Sequence, residues 1–146
     1  MKNSAQVASR TRGRHSQVGR VYHVVFSTKD CAPVFADFTK ARIIINCLGT
    51  SALQSISETL AFVVMPDHIH WLFVLRFGSK SHCVQRVKAQ CSRDSGELVW
   101  GDGFCDHAVS VDEDLKATAR YIVANPLRAG LVGDIGDYPH WDVAWL

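Results

Sequence analysis

Two apolar runs, residues 61–65 and 69–75, are separated only by Pro66, Asp67 and His68. Proline has no backbone N–H and is excluded from central strands, so the two runs cannot form one continuous strand. Proline and aspartate are typical turn residues, and both runs are rich in the β-branched and aromatic side chains that strands favour. The pattern therefore predicts an antiparallel hairpin at the middle of a β-sheet.

The remaining elements alternate around this hairpin. Apolar side chains at a spacing of two or of three to four residues distinguish strands from helices, and acidic or proline-containing segments mark helix ends. On this basis the sequence predicts a strand at 21–26, a helix at 38–57, a basic helix at 81–95, a loop at 96–103, a strand at 104–109 and a helix from about 112 to 124, which Asn125 and Pro126 end. The tail from Tyr138 onward is expected to pack as irregular structure.

This order of elements predicts an α+β fold of the ferredoxin-like (split βαβ) type. Its mostly antiparallel sheet carries helices on one face, with an additional C-terminal helix. The length of 146 residues suits a single domain spanning 1–146, with residues 1–18 as a basic and mobile arm. No apolar stretch has the length of a signal peptide or a membrane span, and five cysteines form no CxxC pair, so we expect a cytoplasmic protein with reduced thiols.

The segment His68-Ile69-His70 opens the second strand of the hairpin. Side chains two residues apart in a strand point to the same face, so both imidazoles can reach one metal ion. Such a pair is also compatible with two half-buried histidines that have only structural partners. Here the rings would lie among apolar side chains at a desolvation cost, which favours the metal site.

The last helix brings a phenol and a carboxamide together. Tyr121 and Asn125 are four residues apart and therefore share one helix face. One side chain could attack a substrate while the other coordinates a metal, since a phenol needs a nearby cation to become a good nucleophile. Taken alone, the tyrosine is compatible with ordinary packing and the asparagine with a helix end.

Together the two constellations resemble a known family. Residues 62–71 resemble the histidine–hydrophobic–histidine (HUH) motif of single-tyrosine transposases, and residues 119–132 resemble their tyrosine helix. Within this group the chain is most similar to the REP-associated tyrosine transposases, and the segments 19–24, 104–109 and 138–141 also fit in order. The sequence departs from the family after Trp100, where Gly-Asp-Gly replaces a frequent glutamine, which leaves this loop open.

The resemblance implies a role for particular residues. His68, His70 and Asn125 would bind a divalent metal, Mg²⁺ or Mn²⁺, and Tyr121 would be the nucleophile. His107 matches a recurrent histidine and would act either as an outer partner of a metal-bound ring or as a DNA contact.

The implied function is a transposase-like endonuclease and strand transferase. It would act on single-stranded or hairpin DNA of the REP palindrome type through a 5′-phosphotyrosine intermediate, without a nucleotide cofactor. We expect a monomer, with a homodimer possible. The net charge is only +2, but basic residues cluster in two segments whose phosphate contacts would bind the DNA, and the candidates are Arg12, Arg14, Arg20, Arg86 and Lys88.

Two other functions were compared with this interpretation. A nucleotide hydrolase of the histidine-triad type would need a third alternating histidine at the position of Leu72. A domesticated DNA-binding protein that has lost cleavage activity could retain every one of these residues. A metal-dependent covalent adduct with an oligonucleotide would exclude this second alternative.

Overall fold

The computed structural model describes residues 15–98, 100–109 and 115–144. Its strands are β1 (Val21–Ser27), β2 (Ser57–Val64), β3 (His68–Leu75), β4 (Cys105–Val109) and β5 (Trp141–Val143). Its α-helices are α1 (Phe38–Leu48), α2 (Ser51–Gln54), α3 (Lys80–Ser95), α4 (Leu115–Val123) and α5 (Asn125–Arg128). In these described ranges, no helix is long and apolar enough to cross a membrane.

The five strands form one sheet in the order β4-β1-β3-β2-β5. The pairs β1–β3, β1–β4, β2–β3 and β2–β5 are all antiparallel, so the predicted α+β fold with an antiparallel sheet is confirmed. The predicted hairpin is β2–β3, closed by a hydrogen bond from the Met65 N–H to the His68 carbonyl oxygen. The strand β3 therefore lies at the centre of the sheet.

Alternation along the strands divides the core between the two sheet faces. One face packs against α1 and α3, and Phe26, Trp71 and Phe73 are buried there. The opposite face packs against α4 through Leu72 and Ile122. Each fully buried large apolar side chain contributes about 1.5–3 kcal/mol to the free energy of unfolding. The C-terminal helix thus covers the sheet face that the other two helices leave open.

The predicted helix 38–57 is wrong as a single element. The helix α1 ends before Gly49, and a separate turn of helix, α2, follows. The Thr50 side chain accepts a hydrogen bond from the Leu53 N–H and caps α2. Apolar residues continue at helical spacing on both sides of the glycine, so periodicity alone did not reveal the interruption.

The end of the tyrosine helix also differs from the prediction. The predicted start at residues 112–114 lies outside the described residues, but Asn125 and Pro126 do not stop the helical path. They begin the short helix α5, in whose first turn a proline is tolerated because its missing N–H has no helical partner there.

The tail contains an additional strand that the sequence did not reveal. Residues Trp141–Val143 form β5 and pair with β2 at the edge of the sheet. The Tyr138 hydroxyl donates to the Val64 carbonyl oxygen at 2.6 Å, and the Trp141 indole N–H donates to Ile135 at 3.1 Å. The first of these bonds holds the tail against β2, the strand that precedes the histidine pair, and the second lies within the tail.

Candidate active site

Four histidines lie on the sheet face that α4 covers. His68 and His70 alternate with buried apolar residues on β3, as predicted from their spacing. His23 on β1 lies directly opposite His107 on β4 in the strand register. The four rings form a row across three neighbouring strands, with ring centroids 5.0–5.3 Å apart between neighbours.

Hydrogen bonds orient the two predicted metal ligands. The His70 Nδ1 and His23 Nε2 atoms are 3.0 Å apart, and the His68 Nδ1 is 2.7 Å from the Asp67 Oδ1. Each ring therefore uses its Nδ1 for a protein partner and keeps its Nε2 for another ligand. Such an outer partner fixes the orientation of a metal-bound histidine.

Burial keeps the central rings neutral. Desolvation, followed by the charge of His107, lowers the pKa of His23 from 6.5 to about 4. Desolvation, with smaller contributions from His23, His68 and Arg128, lowers the pKa of His70 from 6.5 to about 3. A neutral imidazole is the form that binds a metal, so His70 has the protonation state that a metal ligand needs at neutral pH.

Tyr121 lies on α4, above the histidine face, with 57% of its surface exposed. The Arg128 guanidinium lies over its ring, 3.8 Å from the ring centroid, and donates a hydrogen bond to the Tyr121 carbonyl oxygen at 2.8 Å. The phenol is therefore accessible to a substrate and has a cation next to it. A nearby cation is one of the conditions for an activated phenol nucleophile.

The Asn125 carboxamide has one fixed orientation. Its Nδ2 donates to the Ile122 carbonyl oxygen at 2.9 Å. In a regular helix that carbonyl would accept from the N–H of residue 126, which is proline and has none. Only an amide nitrogen can donate in this bond, so the amide oxygen is left for another ligand.

The predicted donor set suits a divalent cation. Two imidazole nitrogens and one amide oxygen leave further positions for water and phosphate oxygens. Within residues 15–98, 100–109 and 115–144, no three His, Cys, Asp or Glu side chains are grouped so that they could hold a metal. A metal site here would therefore need Asn125 as its third protein ligand, and the metal and these ligand roles remain predictions.

An open groove of about 470 Å³ adjoins the histidine row. Strand β4 and helix α4 form its walls, and Tyr121 lies at its border. His23 and the exposed His107 also line it. A groove of this kind next to the phenol can admit part of an extended substrate chain.

The predicted DNA-binding residues are distributed over different surfaces. Arg12 and Arg14 lie outside the described residues. Arg20 is exposed just before β1 and donates to the Gln17 side chain. Arg86 is exposed on α3, which packs on the sheet face opposite Tyr121. The structure therefore does not bring Arg86 to the phenol, and DNA contacts by Arg20 and Arg86 remain predictions.

Lys88 holds the loop that departs from the family pattern. Its Nζ donates to the carbonyl oxygens of Gly101 and Gly103 at 3.1 and 2.8 Å. The Gly101 N–H donates to Ser27 at 2.9 Å, and a Cβ at Gly101 would lie only 3.3 Å from the Ser27 oxygen. A side chain at position 101 would crowd this contact, so glycine fits the loop and Lys88 contributes to its structure. Its predicted DNA contact stays a prediction.

Sequence reasoning did not assign roles to His23 and Arg128. The role of His23 depends on the pairing of β1 with β3, which no spacing within one segment shows. Arg128 is seven residues from Tyr121, and it approaches the ring because α5 continues the helical path after Pro126. The sequence would have indicated that Arg128 is close to Tyr121 if Pro126 had been placed in the first turn of a helix.

An antiparallel sheet with an alternating histidine pair, covered by a helix with an exposed tyrosine, is the arrangement that the resemblance to transposases implied. Residues 16–125 match the model of the IS200-like transposases, and the chain belongs to that family.

Individual relatives agree with this assignment. The REP-associated tyrosine transposase of Escherichia coli K12 is 32% identical over 94 residues, which cover 60% of this chain and 57% of the relative. A Haemophilus influenzae Rd protein, provisionally described by the same name, is 28% identical over 102 residues, 57% of each chain. The matches thus span just over half the length of these curated relatives.

A solved structure has a similar fold. It is the structure of a REP-associated tyrosine transposase bound to a REP hairpin, with a TM-score of 0.72 and 23% identity. The similarity covers 89% of this chain and 80% of that chain. At this identity the match supports the fold.

Proposed function

We propose that this chain cuts and rejoins single-stranded DNA through a covalent bond to Tyr121. The observation that carries the proposal is the exposed Tyr121 on α4, which packs across the same sheet face as His68 and His70. A nucleophile and two candidate nitrogen ligands are thereby brought to one surface. Membership of the IS200-like transposase family supports DNA cleavage as the reaction.

The proposed substrate is a hairpin of the REP palindrome type with a single-stranded flank. The similar solved structure is a transposase bound to a REP hairpin, and the curated E. coli relative is a REP-associated transposase. The exposed phenol and the open groove beside it suit an unpaired strand, because the scissile phosphate has to reach the Tyr121 oxygen. The physiological outcome would be DNA transposition or the processing of such palindromes.

The reaction begins with in-line attack of the Tyr121 oxygen on phosphorus. The phenol loses its proton, the bond between phosphorus and the 3′ oxygen breaks, and a free 3′-hydroxyl leaves. The DNA is then held as a 5′-phosphotyrosine, which preserves the bond energy. Attack by a second 3′-hydroxyl reverses the chemistry and joins two strands without a nucleotide cofactor.

The donor atoms proposed for the divalent cation are the His68 Nε2, the His70 Nε2 and the Asn125 Oδ1. Bound Mg²⁺ or Mn²⁺ would supply positive charge to the oxygens of the scissile phosphate. The residues around the donors keep them in place: Asp67 orients His68, His23 orients His70, and the Ile122 carbonyl orients the Asn125 amide. His107 acts as an outer neighbour of His23 at the edge of the groove.

The test is a covalent-adduct assay. The protein is incubated with a labelled hairpin oligonucleotide carrying a single-stranded flank, with Mn²⁺ or Mg²⁺ or with EDTA, and resolved on a denaturing gel. The proposal predicts a metal-dependent adduct that Tyr121→Phe abolishes while hairpin binding persists. Binding without any adduct over a broad set of palindromes would instead support the DNA-binding protein that no longer cuts.

The active unit is proposed to be a monomer. Tyr121 is on α4, and α4 of the same chain packs on the sheet face that carries the histidine pair. One chain therefore supplies every proposed catalytic group. Light scattering should give a monomer mass for the active species, and a dimer mass would contradict this proposal.

A further inference from the structure

Arg128 is the basic residue in closest contact with the tyrosine. Its guanidinium carbon lies 3.8 Å from the centroid of the Tyr121 ring, and one of its N–H groups donates to the Tyr121 carbonyl oxygen. The same side chain lies close enough to His70 to act on it electrostatically. Arg128 thus contacts the Tyr121 ring and also acts electrostatically on a predicted metal ligand.

We propose that Arg128 binds a non-bridging oxygen of the scissile phosphate and holds Tyr121 for attack. This inference rests on the proposed function, because it concerns the same site. A guanidinium has five N–H donors, and a single hydrogen bond to the Tyr121 carbonyl leaves others for a phosphate. Its planar fork also matches the geometry of two phosphate oxygens.

The exposure of Arg128 and its contact with the Tyr121 ring favour this specific role over that of an ordinary charged residue on the surface. The residue is exposed, so a phosphate can approach it without displacing core side chains. The stacked guanidinium restricts the ring of an otherwise exposed tyrosine, which reduces the freedom that the nucleophile loses when it reacts. Positive charge at this position would also stabilise the charge that develops on the phosphate oxygens during attack.

The chain provides a matched control for this charge. Arg120 is also exposed and precedes Tyr121 on α4. Arg128→Gln and Arg120→Gln therefore each remove one positive charge from an exposed position, and only the first removes the side-chain contacts to Tyr121. Arg128→Lys retains the charge but lacks the planar fork. Thermal melts of all variants show whether each remains folded.

The experiment measures hairpin binding as a function of salt, and then adduct formation in a single turnover with Mn²⁺. Loss of one phosphate contact on a single strand should reduce the slope of log Kd against log salt by about 0.7 in Arg128→Gln. The adduct rate should fall by about 100-fold, the typical loss for one stabilising donor. Arg128→Lys should keep the slope and recover part of the rate, and Arg120→Gln should resemble the wild-type chain in adduct rate.

Different results would overturn different parts of the proposal. An Arg128→Gln chain with the wild-type salt slope does not lose a phosphate contact, and a wild-type adduct rate in this variant removes the positioning role. If the wild-type chain binds the hairpin but forms no adduct, the proposed cleavage function fails and the salt slope still tests phosphate binding by Arg128. If the wild-type chain does not bind the hairpin, both proposals are wrong.

Discussion

Acid should destabilise this protein at pH values where most carboxylates are still ionised. The pKa values of His23 and His70 are lowered from 6.5 to about 4 and about 3. Above pH 6.5 both rings are neutral in the folded and the unfolded chain, so they contribute no pH dependence to the free energy of unfolding. Below 6.5 the unfolded chain binds protons that the folded rings do not, and acid therefore favours the unfolded state.

The magnitude follows from the size of the shifts. Each ring lowers the free energy of unfolding by up to about 1.4 kcal/mol per pH unit below 6.5, and this decrease ends near the pKa of the ring in the folded protein. By pH 5 the two groups together remove about 4 kcal/mol from the free energy of unfolding. This is a large part of the roughly 5–15 kcal/mol that typical domains possess.

The assay is urea unfolding at pH 7, 6 and 5 in EDTA, with variants that separate the groups. His23→Gln removes one titrating ring and should make the loss between pH 6.5 and 5 smaller by about 2 kcal/mol. His82→Gln changes an exposed histidine on α3 and should leave the loss unchanged. The pKa of His140 is also lowered, by burial and by Arg42, but its contribution is common to the wild type and these variants. A free energy of unfolding that is constant from pH 7 to 5 would refute the reasoning.

Two further predictions concern single contacts. Asp106→Asn should lower the free energy of unfolding by about 3 kcal/mol in urea unfolding. The reason is that the Asp106 carboxylate lies 2.9 Å from the ammonium of the buried Lys80, and the substitution removes its negative charge. Asp102→Asn, at an exposed position, is the control. Asn125→Asp should still bind Mn²⁺ in calorimetry but lose about 1–2 kcal/mol of stability, because a carboxylate cannot donate to the Ile122 carbonyl oxygen. Loss of Mn²⁺ binding with unchanged stability would reverse this assignment for Asn125.

The features that the sequence predicted well are those that depend on short-range periodicity. The hairpin could be predicted from the position of Pro66 between two apolar runs alone. The common face of His68 and His70 followed from the period of two along a strand, and the structure confirms it. The shared helix face of Tyr121 and Asn125, also inferred from spacing, stays a prediction, because the two residues belong to the successive helices α4 and α5.

The features that the sequence did not predict depend on contacts between distant segments or on exceptions to local rules. The strand β5 has only three residues, and its pairing with β2 joins segments about eighty residues apart. His23 reaches His70 only after β1 has paired with β3 in one particular register. The first helix ends before Gly49 although the apolar side chains continue at helical spacing beyond it. The helical path continues through Pro126 although a proline usually ends a helix.

The central claim is that Tyr121 becomes covalently attached to DNA. Its most direct test is mass spectrometry of the protein digested after incubation with a hairpin oligonucleotide and Mn²⁺. The account predicts a nucleotide-modified peptide that contains Tyr121, present with metal and absent in Tyr121→Phe and in EDTA. A modified peptide that carries another nucleophile, or an adduct that persists in Tyr121→Phe, would contradict it.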